Sequence, residues 1–235
     1  MKILLTSGGA KVPIDEVRSI TNMSSGTFGA KIGVECLNRG NELYFLTSKD
    51  GKTPLKFSYD CNKKSDLIRD ASEFSDWSDY VCDRYRESSY VTFDDYSRTL
   101  KDFIDIAPID VIILAAAIPD YDVINKVQGK IRSKGDMKID LTPLPKIINK
   151  VKNDWGYKGI LVGFKLLVGA TEDELIDSAQ QSIFDNKCDF VVANDLHDLK
   201  KNNHKIMIVT KYTVTHVPKE KAIGAILDKI KELKG

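Results

Sequence analysis

The chain has 235 residues, with 35 Lys and Arg against 34 Asp and Glu and a net charge of +1. That balance excludes a nucleic-acid clamp and a polybasic membrane binder, both of which need a surplus of one sign. An apolar content of 42 % beside 29 % charged residues is ordinary for a globular enzyme, and no apolar run approaches the ~20 residues of a membrane helix.

Lys2 to Thr6 is a short apolar run ending in Ser7, Gly8 and Gly9, which predicts a buried strand and a tight turn, not a signal-peptide core. Ser24-Ser25-Gly26 opens a helical pattern, with Phe28, Ile32 and Cys36 spaced by four and Gly40 as its stop. Leu43 to Leu46 reads as a second strand, giving a parallel unit with a right-handed crossover. Residues 48–93 are polar and aromatic and read as a variable insertion within a single domain spanning 1–235. Leu55, Phe57 and Tyr59 alternate like a strand there, and Leu67, Ala71 and Phe74 fit a helix face. The stretch either packs on its own aromatics or presents a surface to a partner.

Tyr96 to Ile106 has helical spacing, and Ile109 to Ala117 is apolar enough for a central strand. Lys126 to Leu141, with Gly129 and Gly135 among polar residues, reads as a mobile hairpin. Pro145 opens a helix and Gly159 to Phe164 is a strand. Thr171 and Glu174 form a capping box for a helix to about Asn186. Phe190 to Ala193 is a strand, Lys205 to Val217 an antiparallel hairpin, and Lys219 to Leu233 a closing helix. Alternating strands and helices predict an α/β fold. Its core is a doubly wound, mostly parallel Rossmann-like sheet, with a flap hairpin and a C-terminal antiparallel hairpin.

Ligands bind such sheets beyond the carboxyl ends of the strands, so the residues just after each strand are the candidates. Ser7-Gly8-Gly9-Ala10 suits a phosphate, or is a plain strand-to-helix turn. The dinucleotide fingerprint G-x-G-x-x-G and the Walker A loop are both absent, which disfavours a nicotinamide oxidoreductase. Thr21 to Gly26 places hydroxyls and amides at a helix N-terminus, where they bind an anion or cap the helix. Ala115-Ala116-Ala117-Ile118-Pro119-Asp120 leaves room for a flat ring, with a carboxylate to accept from a sugar or base. Lys130, Arg132 and Lys134 could neutralise a polyphosphate or simply face solvent. Cys36, Cys61, Cys82 and Cys188 form no C-x-x-C pair, and three His are too few for a metal site. Free thiols in a reducing cytoplasm are expected.

Several of these segments stand in a familiar order and spacing. ITNMSSGTFG, AAAIPDYD, GKIRSKGD, the helix starting at Pro145, VGFKLLVGATEDEL and VVANDL resemble phosphopantothenoylcysteine synthetase, also called phosphopantothenate–cysteine ligase. The resemblance runs from Met1 to about Asp195 and more weakly to the end, with residues 48–93 outside it. It is closest to the stand-alone bacterial form rather than to one fused to a flavin-dependent decarboxylase.

The resemblance implies a cytoplasmic, homodimeric enzyme of coenzyme A biosynthesis that binds neither nucleic acid nor membrane. It would join 4′-phosphopantothenate to L-cysteine through an acyl-nucleotide, using CTP as bacterial members do or ATP as eukaryotic ones do. Mg²⁺ would enter on the nucleotide phosphates, without protein ligands. Asn22 and Lys130 match the family's essential asparagine and flap lysine, with Lys130 also meeting the triphosphate. The nucleotide would be held by Gly8, Gly9, Leu114, Ala115, Ala116, Asp120, Pro145, Lys146, Ile147, Ile148, Phe164 and Lys165. The pantothenate phosphate would sit on Asn22, Ser24, Ser25 and Gly26. The sequence departs from the pattern at Ala10 (usually Thr), at Leu144 and Lys146 (Asn and Asp in the fused enzymes), and at Ser182 and Asn186, which replace two lysines. A diverged nucleotide-binding relative without ligase activity is the alternative.

Overall fold

The computed structural model describes residues 1–56, 82–132, 135–198 and 205–235. The strands in chain order are β1 (Lys2–Ser7), β2 (Lys11–Pro13), β3 (Ser19–Thr21), β4 (Glu42–Ser48), β5 (Tyr85–Tyr90) and β6 (Val111–Leu114). They continue as β7 (Tyr121–Val123), β8 (Leu141–Pro143), β9 (Ile160–Leu167), β10 (Phe190–Asp195), β11 (Lys205–Val209) and β12 (Val214–Pro218). The main helices are α1 (Thr27–Asn38), α2 (Phe93–Ile106), α3 (Ile147–Asn153), α4 (Glu172–Asn186) and α5 (Ala222–Lys234).

Eight strands form one sheet in the order β12-β11-β10-β9-β6-β1-β4-β5. β5, β4, β1, β6, β9 and β10 run parallel, and the β11–β12 hairpin adds an antiparallel edge. The chain builds outward from β1 to β5, then returns to the other side of β1 with β6. The strand order therefore reverses between β1 and β6, which is where a doubly wound sheet opens its ligand crevice.

Alternation along the strands feeds two cores. Ile3, Leu5, Val111 and Ile113 face α1 and α5 and pack with Ile32, Leu37, Ile226 and Ile230. Leu4, Ile112 and Leu161 face α2, α3 and α4 and pack with Tyr96, Leu100, Val151 and Ala179. Each fully buried aliphatic side chain contributes roughly 1.5–3 kcal/mol, so the inner strands are anchored from both faces. Helix starts follow the sequence: Thr92 with Asp95 and Thr171 with Glu174 form reciprocal capping boxes.

Several boundaries depart from the sequence reading. Tyr85–Tyr90 lies within the stretch read as an insertion, yet it is the edge strand β5, paired in register with β4. Its polar run YRESSY hides it, because an edge strand needs few apolar residues. Leu55 belongs to a helical turn at 54–56, not a strand. Pro54 suits a helix start, and Thr53 Oγ1 accepts from Lys56 N at 3.3 Å. Phe57, Tyr59 and the expected helix face of Leu67, Ala71 and Phe74 lie outside the described residues. Pro145 stands one residue before the cap of α3, which is Lys146. The flap hairpin is present, but its ladder joins Tyr121–Val123 to Leu141–Pro143, and Lys130 sits in the irregular segment between. Ser133 and Lys134 lie outside the described residues. No helix among the described residues is long and apolar enough to cross a membrane.

Candidate active site

The loops leaving β1 and β6 lie side by side at the switch point. Ala117 N donates to Gly8 O at 2.8 Å and Ala10 N to Ala117 O at 3.4 Å. Beneath them Thr6 Oγ1 accepts from Ala116 N at 3.3 Å and from the Tyr96 hydroxyl at 3.3 Å. The Tyr90 hydroxyl donates to Ser7 O at 2.7 Å. Burial pushes the Tyr90 and Tyr96 phenols up, so both remain protonated donors. A side chain at Gly8 would collide with Ser48, and its φ of 80° is one that glycine adopts without strain.

One side of this crevice is a recess of about 170 Å³. Leu114, Ala116, Asp120, Pro145, Lys146, Ile147, Ile148 and Phe164 line it, together with Tyr96, Ile118 and Pro119. Eight residues expected at the nucleotide thus come together from β6, the approach to α3, and β9. Asp120 and Lys146 are ion-paired at its mouth, both well exposed. Ala115 turns away and packs against the core beneath α1. Lys165 lies in an adjoining cleft of about 1070 Å³ between α3 and α4, which Ser182 and Asn186 also line. Asn186 Nδ2 donates to Ser182 O at 2.8 Å and to Ser182 Oγ at 3.1 Å. The two positions where lysines are usual therefore hold each other.

The other side is the start of α1. Its N-cap is Gly26, at φ 73°, with no side chain capping the helix and no acid in the first turn. Ser7 Oγ donates to Gly26 O at 3.1 Å and Lys52 N to Ser25 O at 3.1 Å. Ser24 N donates to Asn22 O at 2.9 Å, folding the segment back over Gly9. The Asn22 side chain is exposed and has no hydrogen-bond partner among the described residues. Thr27 N donates to Ser25 Oγ at 3.4 Å, and the rest of the helix start, three small residues and a free amide form a cradle for an anion and a donor beside it. The two sides meet where the Phe28 ring lies against the Phe164 ring.

Lys130 stands apart. It is exposed, and no hydrogen bond or ion pair joins it to the recess or to Asn22 among the described residues. Its segment, read from the sequence as a mobile hairpin, is bonded to the β2–β3 turn. Val127 N donates to Ile14 O at 3.1 Å and Glu16 N to Gly129 O at 3.2 Å. Asp15 accepts from Ile131 N at 3.1 Å, and Arg18 Nη2 donates to Ile131 O at 3.1 Å. A polar segment with no apolar face is fixed here by hydrogen bonds to a neighbouring turn. Asp15 also accepts from Val17 N at 2.8 Å and Arg18 N at 2.6 Å. Burial alone would raise its pKa, but these N–H groups and the Arg18 charge hold its carboxyl below the usual carboxylate range.

Asp15, Arg18, Thr6 and Tyr96 are the residues that sequence reasoning missed. Asp15 and Arg18 carry a local signal, an Asp three residues before an Arg inside a turn, but its target at Ile131 is far off in sequence. No group of three or more His, Cys, Asp or Glu among the described residues could hold a metal ion.

The chain matches the model of the family described as DNA/pantothenate metabolism flavoprotein C-terminal domain, over residues 1–71 and 97–233. The match takes in residues 48–71, which the sequence reading leaves outside. The chain is 30 % identical over 219 residues to the coenzyme A biosynthesis bifunctional protein CoaBC of Thermococcus kodakarensis, covering 93 % of this chain and 47 % of that one. It is 26 % identical over 260 residues to the phosphopantothenate–cysteine ligase of Mus musculus, covering 96 % and 82 %. The crystal structure of the DNA/pantothenate metabolism flavoprotein from Streptococcus pneumoniae is similar at a TM-score of 0.79 and 29 % identity, over 99 % of both chains. The chain spans about half the length of the first curated relatives it matches.

Proposed function

This chain belongs to the DNA/pantothenate metabolism flavoprotein C-terminal domain family, and on that premise we propose that it ligates 4′-phosphopantothenate to L-cysteine. The observation that carries the reading is the meeting of two unlike half-sites at one switch point. An anion cradle with a free amide lies on one side, and an apolar recess rimmed by Asp120 and Lys146 on the other.

The chemistry follows from what a carboxylate needs. It is a poor electrophile and must be activated before an amine can displace anything from it. The 4′-phosphopantothenate carboxylate attacks the α-phosphorus of CTP or ATP, and pyrophosphate leaves with the broken bond's electrons. The cysteine amine then attacks the acyl carbonyl, loses a proton, and expels the nucleoside monophosphate. Ser24, Ser25 and the amides at Gly26 hold the phosphate of the acid. Asn22 donates to the acyl oxygen as charge grows there, a contribution typically worth ~10²–10³ in rate. Lys130 meets the triphosphate in the first step. Gly8 and Gly9 lie along its phosphates, and the recess from Leu114 to Phe164 takes the base and sugar, with Lys165 in the adjoining cleft. Mg²⁺ bound to the triphosphate would neutralise charge on the phosphate oxygens, as suits a hard cation that keeps several waters. Two copies of the chain form the working unit in this reading.

Turnover tests it. Protein, Mg²⁺, 4′-phosphopantothenate and cysteine, mixed with either nucleotide, should yield the amide together with nucleoside monophosphate. Nucleotide binding without turnover would instead support the diverged relative, a reading favoured by Lys146 and by the Ser182–Asn186 pair.

A further inference from the structure

We propose that Asp15 is a positioning residue that latches the Lys130 segment to the strand leading into Asn22, so that the two halves of the reaction share one support. The inference rests on the ligase reading for its kinetic consequence, but the latch itself is a matter of geometry.

The Asp15 side chain is fully buried, and its two oxygens have separate tasks. Oδ1 accepts from Val17 N and Arg18 N, which closes the turn between β2 and β3. Oδ2 accepts from Ile131 N, across 116 positions of sequence. Arg18 completes the grip, since its Nη2 donates to Ile131 O while its Nη1 lies 3.6 Å from Asp15 Oδ2. Both backbone polar groups of Ile131, its N–H and its C=O, are thus held, one residue beyond Lys130. β3 begins at Ser19, immediately after Arg18, and ends at Thr21, immediately before Asn22. A buried carboxylate with N–H donors on both oxygens is a firm anchor, because moving either partner leaves a desolvated charge unsatisfied.

The two oxygens make a selective variant available. In Asp15→Asn the side-chain oxygen stays with the two turn amides, where it is needed most. The NH₂ then faces Ile131 N–H, donor against donor. The turn is kept and the latch is opened. We expect Ile131 amide hydrogen exchange to accelerate at least tenfold in the variant, while the core amides of β1 and β6 keep their rates. This readout needs no turnover and stands even if the ligase reading fails. In the reaction, we expect pyrophosphate release to fall about tenfold or more, the scale of one charge-assisted hydrogen bond. Placed in a Lys130→Gln background, Asp15→Asn should cost little further, because both changes act through one device. Asp15→Glu should recover part of the lost rate. Unchanged exchange at Ile131 would overturn the latch. A full, additive loss in the double variant would overturn its action through Lys130. Global acceleration of exchange would make Asp15 merely structural and would equally overturn the proposal.

Discussion

The rings of Phe28 and Phe164 meet edge-on with centroids 6.0 Å apart, joining the first turn of α1 to the wall of the recess between β6 and α3. Phe28 lies in the first turn of α1 and Phe164 lines the recess, so this contact registers one side of the crevice on the other. Such pairs contribute about 0.5–1.5 kcal/mol beyond the area they bury. Phe28→Ala should therefore destabilise the fold only modestly while raising KM for both 4′-phosphopantothenate and nucleotide. Steady-state kinetics on each substrate and a thermal melt check this; an effect on stability alone would reduce the contact to packing.

Asn22 allows a cleaner separation of steps. Its amide is exposed and unpartnered among the described residues, so Asn22→Asp should leave the melting temperature nearly unchanged. On the ligase proposal the change removes a donor and adds negative charge where the oxyanion would develop. Amide formation should fall by ~10²–10³ or more, and pyrophosphate release much less, so that the acyl-nucleotide accumulates. Equal losses in both steps, read by quenched-flow chromatography, would move Asn22 to substrate binding.

The Asp120–Lys146 pair is exposed on both sides, and such pairs are worth only about 0–1 kcal/mol to folding. Lys146→Ala should thus melt close to the wild type. Because Lys146 lines both the recess and the cleft, the same variant should lose about tenfold in kcat/KM for the nucleotide. Activity assays with CTP and ATP in parallel decide it; unaltered kcat/KM for both would leave Lys146 at the rim without a role.

Tyr96 tests the support beneath the recess. In Tyr96→Phe the Thr6 hydroxyl still accepts from Ala116 N, but the buried phenol bond is gone. A net loss of roughly 0.5–1.5 kcal/mol is expected by denaturant unfolding, with full nucleotide binding. A neutral result would mean that the hydroxyl pair contributes nothing to stability.

Acid stability has a defined sign. The Asp15 carboxyl is held below its ordinary value of 3.8 in the folded chain. Its contribution is therefore fully present above that value, and is lost as pH falls through 3.8 toward the lower folded value. Wild type should lose stability over that window more steeply than Asp15→Asn. Melting temperatures measured from about pH 5 to pH 2 give the comparison, and parallel curves would contradict it.

The doubly wound class is legible because Lys2–Ser7, Glu42–Ser48 and Phe190–Asp195 are apolar runs followed by glycine or polar turns, whereas the strand order is not. β5 was not legible, since an edge strand can be as polar as a loop. Of the recess residues, Ala116 to Asp120 and Phe164 are legible from their place at strand ends, whereas Leu114 and Pro145 to Ile148 are marked only by the family resemblance. The Asp15 latch was not legible, because hydrogen bonds between segments 116 positions apart leave no periodicity to read. For the same reason the bonds that join the Lys130 segment to the β2–β3 turn are not legible in the sequence.

On the ligase proposal the acid is activated as an acyl-nucleotide between the two half-sites, and isotope transfer tests this most directly. 4′-Phosphopantothenate carrying ¹⁸O in its carboxylate should pass one labelled oxygen to the nucleoside monophosphate during amide formation. That oxygen forms the bond to the α-phosphorus and remains there when the cysteine amine displaces the nucleotide. Label appearing in orthophosphate, with nucleoside diphosphate as the other product, would contradict the account.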